Sequence, residues 1–278
     1  MVEIGDGWFE IPSFAKINLF LDVLRKRDDG YHELVGLFQT ISFHDTIRLK
    51  IVDDGLKIES TRFIPEKNIV ETAVEVFKKE TGIDFGMEIL IVKRIPMMAG
   101  FGGGSSNAGA VLKFLGKVFD VPKEDLLRIA SKVGSDVPFF LESGTAIVRG
   151  KGDVVERMEP LPEYGVVLAV PQVRIDTKRA YSYLKEEDFS KSVCDVEELY
   201  RAYKEFDFET IRRCSYNIFQ EVLKDYYLEI DITLKHLERS GGIVSMMTGS
   251  GSGCFSIFPP GEGVFKFTDG SFESRRLL

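Results

Sequence analysis

The densest run of residues suited to chemistry is Pro96-Met97-Met98-Ala99-Gly100-Phe101-Gly102-Gly103-Gly104-Ser105-Ser106-Asn107. Glycines let the backbone approach an anion closely and turn consecutive N–H groups toward it. Downstream, Ala108, Val111, Leu112, Leu115 and Phe119 recur at helical spacing. The loop therefore opens a helix, whose free N–H groups and positive dipole end add to the same site. Ser105 and Ser106 offer hydroxyls to a phosphate oxygen or to Mg²⁺. No Walker lysine follows, and neither Gly100 nor Gly102 starts a Gly-x-Gly-x-x-Gly fingerprint. The strand–loop–helix context favours a nucleotide-phosphate loop over a plain flexible connection. A second run, Thr248-Gly249-Ser250-Gly251-Ser252-Gly253, reads either as another anion nest or as a hairpin loop. Asp136, just before the apolar Val137-Pro138-Phe139-Phe140, is either a partly buried base or a helix cap. Lys16 and Asn18 stand two apart, on one strand face, as a functional pair or as part of a solvated surface. Asp28-Asp29-Gly30-Tyr31-His32-Glu33 is a turn carrying an aromatic ring and an imidazole. Three scattered histidines without an HExxH pattern argue against a histidine-built metal site.

These residues need elements to carry them. Ala15, Ile17, Leu19 and Leu21 alternate with Lys16, Asn18 and Asp22, which predicts a strand over 14–22. Residues 46–52 read as a strand that turns at Asp53-Asp54-Gly55, with 56–60 as its hairpin partner. Asn68 predicts a helix start, with Ile69, Ala73, Val76 and Phe77 as its stripe. Residues 87–93 form a strand leading into Ile95-Pro96. Pro122 opens a helix that Gly134 stops. A strand over 145–149 precedes a break at 160–162, which places the domain boundary at residue 160: one domain over 1–160, another over 161–278. In the second, strands are expected at 166–170, 243–247 and 254–258, and helices at 177–184, 196–205, 208–222 and 228–239. The mixed order indicates α+β in both halves.

The chain has 278 residues, 44% of them hydrophobic, and a net charge of −8. An acidic chain argues against a nucleic-acid partner. No apolar run reaches the roughly 20 residues of a membrane span, and the acidic start has no signal-peptide pattern. Cys194, Cys214 and Cys254 are odd in number and without a CxxC pair. That predicts neither a disulfide nor a zinc site, and hence a reduced, cytoplasmic protein. Oligomeric state is not legible.

Taken in order along residues 12–258, the motifs resemble those of the GHMP kinases. The phosphate loop carries Phe101 where leucine is usual, residues 248–253 look like the third motif, and Phe14-Ala15-Lys16-Ile17-Asn18-Leu19 looks like the first. Asp29-Gly30-Tyr31-His32 and Ser135-Asp136-Val137-Pro138 narrow the likeness to one branch, which acts in the non-mevalonate route to isoprenoid precursors. The resemblance implies an N-terminal ATP-binding domain, a ferredoxin-like C-terminal domain and an active site in the cleft between them. It implies ATP and Mg²⁺, and an acceptor carrying a cytidine diphosphate group, phosphorylated on the 2-hydroxyl of its methylerythritol unit. Residue by residue, it makes Lys16 and Asp136 the catalytic pair. Pro96, Gly100, Gly102, Gly103, Gly104, Ser105, Ser106 and Asn107 would hold ATP, with Ser106 also a metal ligand. Asn18, Tyr31, His32, Tyr181, Thr248, Gly249, Ser250 and Gly251 would hold the acceptor, Tyr31 and Tyr181 by stacking on cytosine. Asp136 would accept or orient the hydroxyl proton, and Lys16 would keep it ionised. Two other readings stand beside this one: a GHMP kinase with another acceptor, such as homoserine, and a nucleotide-binding module without catalysis. One departure from the family is Pro259-Pro260-Gly261 and a polar tail where a helix is expected.

Overall fold

The computed structural model describes residues 1–65 and 68–270. The first half is β1 (Val2–Gly5), β2 (Trp8–Lys26), β3 (His32–Val52), β4 (Leu56–Ser60), α1 (Ile69–Thr81), β5 (Gly86–Val92), α2 (Gly103–Val118), α3 (Lys123–Val133), α4 (Val137–Glu142), β6 (Thr145–Gly150) and β7 (Val154–Arg157). The second is β8 (Gly165–Ala169), α5 (Thr177–Ser182), α6 (Val196–Glu205), α7 (Phe208–Cys214), β9 (Tyr216–Asn217), α8 (Ile218–Leu223), α9 (Leu228–Glu238), β10 (Val244–Met247), β11 (Cys254–Phe258) and β12 (Phe265–Lys266).

The first sheet runs β1-β2-β3-β5-β4, with β6 also on β3, β7 on β6 and β9 on β2. The second is antiparallel, in the order β10-β11-β8-β12. Helices α1, α2 and α3 cover the first sheet, burying Phe77, Val111, Leu115 and Ile129 against Ile47, Leu49 and Ile89. A second cluster joins the two halves: Ala15, Ile17, Leu19 and Leu37 of the first pack with Tyr164, Val166, Leu199, Ile211 and Phe255 of the second. The cleft between the halves is thus framed by a shared core.

Asn68 caps α1 as expected, its Oδ1 accepting from Val70 N at 2.9 Å and Glu71 N at 3.2 Å. Four expectations fail. The strand over 56–60 is not a hairpin partner of 46–52 but pairs in parallel with β5. The chain leaves β4, crosses through α1 and returns as β5, which takes the place beside β3; parallel strands need such a crossover. The alternation in β2 is broken by a register shift between Asn18 and Phe20. Leu19 bulges there, so Leu21 faces the cleft with Lys16 and Asn18 instead of following Ile17. The helix over 208–222 is interrupted by β9, whose Tyr216 and Asn217 pair with Phe20 and Leu21. Last, Cys194 and Cys214 form a disulfide, because packing α6 against α7 brings their Cα atoms to 5.3 Å; the count left only Cys254 unpaired. After Phe258 the tail adds β12 to β8 and buries Phe267. Among the described residues, no helix is long and apolar enough to cross a membrane.

Candidate active site

The cleft has a volume of about 1130 Å³. Its floor is the strand carrying Lys16 and Asn18, which are 3% and 0% exposed, so the solvated-face reading fails. Lys16 Nζ donates to Asn18 Oδ1 at 2.6 Å and lies 5.0 Å from the centre of the Phe38 ring. Asn18 Oδ1 also accepts from Gly249 N at 2.8 Å and from the Thr248 hydroxyl at 3.1 Å. All three partners are donors, so the amide nitrogen must face away, and Asn18 Nδ2 has no partner among the described residues. Burial pulls the Lys16 ammonium below the usual lysine range, and the nearby Asp136 carboxylate works against that. Asp136 stands at the N-cap of α4, but its side chain makes no capping bond. The cap alternative therefore does not use this carboxylate, which lines the cleft instead.

The glycine-rich loop and the 248–253 loop interlock above Lys16. Lys16 N donates to Phe101 O at 3.0 Å, and Gly253 N to Ala99 O at 3.2 Å. Gly100 has φ +76°, and a Cβ there would lie 2.0 Å from Thr248 O. Gly102 has φ +70°, and a Cβ would meet the Phe140 ring at 2.7 Å and the Lys16 stem at 3.1 Å. Only glycine fits both positions. Pro96, Gly100, Gly102, Gly103, Gly104, Ser105 and Asn107 line the cleft. Ser106 is buried behind it: the Ser13 hydroxyl lies 2.7 Å from Ser106 Oγ and 2.7 Å from Asn107 Oδ1. Gly249 and Ser250 reach the cleft, Thr248 supports Asn18 from beneath, and Gly251 turns toward Met247 and Ile175.

At the far end, His32 and Tyr181 lie with ring centroids 4.7 Å apart, and Phe219 meets Tyr181 edge-on at 4.8 Å. Tyr31 is 59% exposed, with the Lys151 ammonium 5.1 Å from its ring centre. Burial, helped by Lys26, lowers the His32 imidazole below its ordinary value. Burial and Asp136 push the Tyr181 phenol up to about 12.

Sequence reasoning missed several members. Ile64 and Ile69 form an apolar wall beside the loop, and Asn68 lines the cleft with them; Asn68 was visible only as a cap. Lys93 Nζ pairs with the fully buried Asp45 at 2.6 Å, and Asp45 Oδ1 accepts from Arg94 N and Ile95 N at 2.6 and 2.7 Å. This pair anchors the entry to the glycine-rich loop, but a separation of 48 residues leaves no local signal. Phe219 was hidden in the presumed continuous helix.

Residues 68–144 match the model of the GHMP kinases N terminal domain, and residues 196–266 that of the GHMP kinases C terminal domain. The chain belongs to the GHMP kinases. This GHMP kinase is 50% identical to the 4-diphosphocytidyl-2-C-methyl-D-erythritol kinase of Thermotoga petrophila, over 97% of this chain and 100% of that one. It is 44% identical to the kinase of the same name from Thermosipho africanus, over 98% and 99%. A crystal structure of 4-(cytidine 5'-diphospho)-2C-methyl-D-erythritol kinase superposes with a TM-score of 0.79 at 31% identity, covering 90% of each chain. A homoserine kinase from Cytophaga hutchinsonii shares the fold, with a TM-score of 0.68 at 19% identity over 93% of this chain and 87% of that one.

Proposed function

We propose that this GHMP kinase transfers the γ-phosphoryl group of ATP to the 2-hydroxyl of 4-diphosphocytidyl-2-C-methyl-D-erythritol. The observation that carries the reading is one cleft holding the Lys16–Asn18 pair and Asp136 between a glycine-rich helix start and an aromatic recess. ATP lies with its phosphates on the loop and the first turn of α2, and its adenosine end against Ile64, Asn68 and Ile69. Mg²⁺ accompanies the nucleotide and offsets phosphate charge. Ser105, Asp136 and Asp153 offer oxygens to the cleft, a donor set that suits an ion carried in by phosphates better than a dedicated cage. Ser106 would support a metal through its hydroxyl only from behind the loop.

The acceptor is a tertiary alcohol, too weakly acidic to ionise unaided, so positioning and charge neutralisation do most of the work. Asp136 has a carboxylate free of capping bonds and takes or orients the hydroxyl proton. The hydroxyl oxygen bonds to the γ-phosphorus as the bond to the bridging β–γ oxygen breaks, and ADP leaves. Lys16, whose ammonium feels the nearby Asp136 carboxylate, offsets charge on the group in transfer. The unpartnered donor of Asn18 Nδ2 would take a substrate oxygen. Tyr31 and Tyr181 stack on cytosine, a contact contributing on the order of 1–3 kcal/mol per base. His32 meets the polar edge of the ring. The small molecule is the only partner this reading needs.

The test is a coupled ADP-release assay with the diphosphocytidyl acceptor and, in parallel, homoserine. Turnover is expected with the first alone, with CMP competing against it and UMP much less, because a mismatched polar edge leaves buried groups unpaired. Equal inhibition by CMP and UMP would remove the cytidine assignment.

A further inference from the structure

Asn217 lies in the two-residue strand that interrupts the helical stretch, and it is 1% exposed. Its side chain makes four hydrogen bonds. Nδ2 donates to Met247 O at 2.8 Å and to Gly249 O at 3.0 Å; Oδ1 accepts from Phe219 N at 2.9 Å and from Gln220 N at 3.3 Å. Both donors and both acceptor positions of the amide are used.

Two of these bonds end on residues that line the cleft, Gly249 and Phe219. Gly249, held through its carbonyl, donates its own N–H to Asn18 Oδ1 at 2.8 Å, the oxygen that also takes the Lys16 ammonium at 2.6 Å. On the other side, capping α8 fixes the backbone of Phe219, whose ring meets Tyr181 edge-on at the acceptor end. The backbone of Tyr216 and Asn217 pairs with Phe20 and Leu21, two and three residues beyond Asn18 on the same strand. A single buried amide therefore ties together the strand bearing Lys16 and Asn18, the loop that holds Asn18, and the helix behind the acceptor ring. A plain helix cap would need only the two bonds to Oδ1; the two donor bonds reach the end of β10 and the loop after it, 30 and 32 residues away.

We propose that Asn217 is a positioning residue for phosphoryl transfer, acting through Gly249 and Asn18 on Lys16 and through Phe219 on the acceptor recess. The proposal rests on the kinase reading given above. Asn217→Asp separates the two halves of its role. The carboxylate keeps the capping oxygen but turns an acceptor toward two carbonyls, so the 248–251 loop must move off Asn18.

The experiment measures Asn217→Asp in the coupled assay, with nucleotide binding by calorimetry on a non-hydrolysable ATP analogue. The expected result is a kcat at least tenfold lower and a raised acceptor KM. The analogue's Kd should stay within twofold, with far-UV circular dichroism unchanged. Combined with Asn18→Ala, the effects on kcat should be less than additive, because both act on the same contact. A lowered melting temperature with wild-type kcat and acceptor KM would reduce Asn217 to a cap and overturn the proposal, as would additive effects with Asn18→Ala. If the aspartate variant does not fold, Asn217→Ser keeps a capping oxygen while losing both donor bonds, and the same outcomes decide. A wild-type protein that binds nucleotide but leaves the acceptor unphosphorylated would instead sink the kinase reading itself, and the proposal with it.

Discussion

Lys16 is a buried cation whose neighbours are a neutral amide, an aromatic ring and, further off, one carboxylate. Desolvation favours its neutral form, so its folded-state value lies below the ordinary lysine value of about 10.4. In the proposed mechanism the charged form offsets phosphate charge, and it is lost as pH rises through that lowered value. The kcat of the wild type should therefore fall on the alkaline side below pH ~10.4. Lys16→Arg, slower overall, should lack this limb because a guanidinium stays charged. A pH–rate profile over the alkaline range checks both, and an unchanged limb in the arginine variant would place the titration elsewhere. Asp136→Asn keeps size and an acceptor oxygen but loses basicity. It should lower kcat by roughly 10²-fold or more with the fold intact, the usual scale of a general-base contribution. A near-normal rate would leave Asp136 without a chemical role.

At the scale of elements, the glycine-rich loop proposed to hold the phosphates is clamped from both ends. The buried Lys93–Asp45 pair fixes the exit of β5, and α2 begins at Gly103, directly against it. A Cβ on Gly103 would lie 2.9 Å from Ile95 Cγ2 and 3.0 Å from Lys93 Nζ. Gly103→Val thus has no space on the inner side and must push the loop toward the phosphates. It should raise the KM for ATP, lower kcat, or both, in steady-state assays at saturating acceptor. Unchanged ATP parameters would mean that the phosphates lie somewhere else. The alternation in β2 belongs to this scale too. A pattern of period two locates a strand but does not foresee a bulge, which flips every later side chain to the other face.

For the whole molecule, the cleft depends on two halves that share a core. Phe267, in the tail beyond the last predicted strand, is 2% exposed and packs on Tyr164 and Tyr203 at 5.4 and 6.0 Å. The short strand before it pairs with β8, and Phe267 N donates to Tyr164 O at 3.1 Å. The tail thus closes the edge of the second sheet at β8, in the stretch where the family resemblance implied a helix. Phe267→Ala should cost about 3–5 kcal/mol, the range for emptying a buried phenylalanine site. Urea unfolding measures the loss, and the folded fraction should keep its ATP KM. A cost near zero would show that the tail is not part of the core.

The amino-acid sequence alone determined the chemistry-bearing motifs and the class of fold. Glycine runs, capping residues and apolar periodicity are local, and they placed the phosphate loop on a helix start and Lys16 with Asn18 on one strand face. Tertiary structure decided the rest. It buried Lys16, left Asn18 Nδ2 without a partner, freed Asp136 from capping, paired Cys194 with Cys214, and broke a helix so that Asn217 could reach Met247 and Gly249. The reason is range: burial and hydrogen-bond completion are set by groups tens to hundreds of residues apart, such as Asn18 and Gly249, 231 positions along the chain. No window of sequence contains both partners, and only packing brings them together.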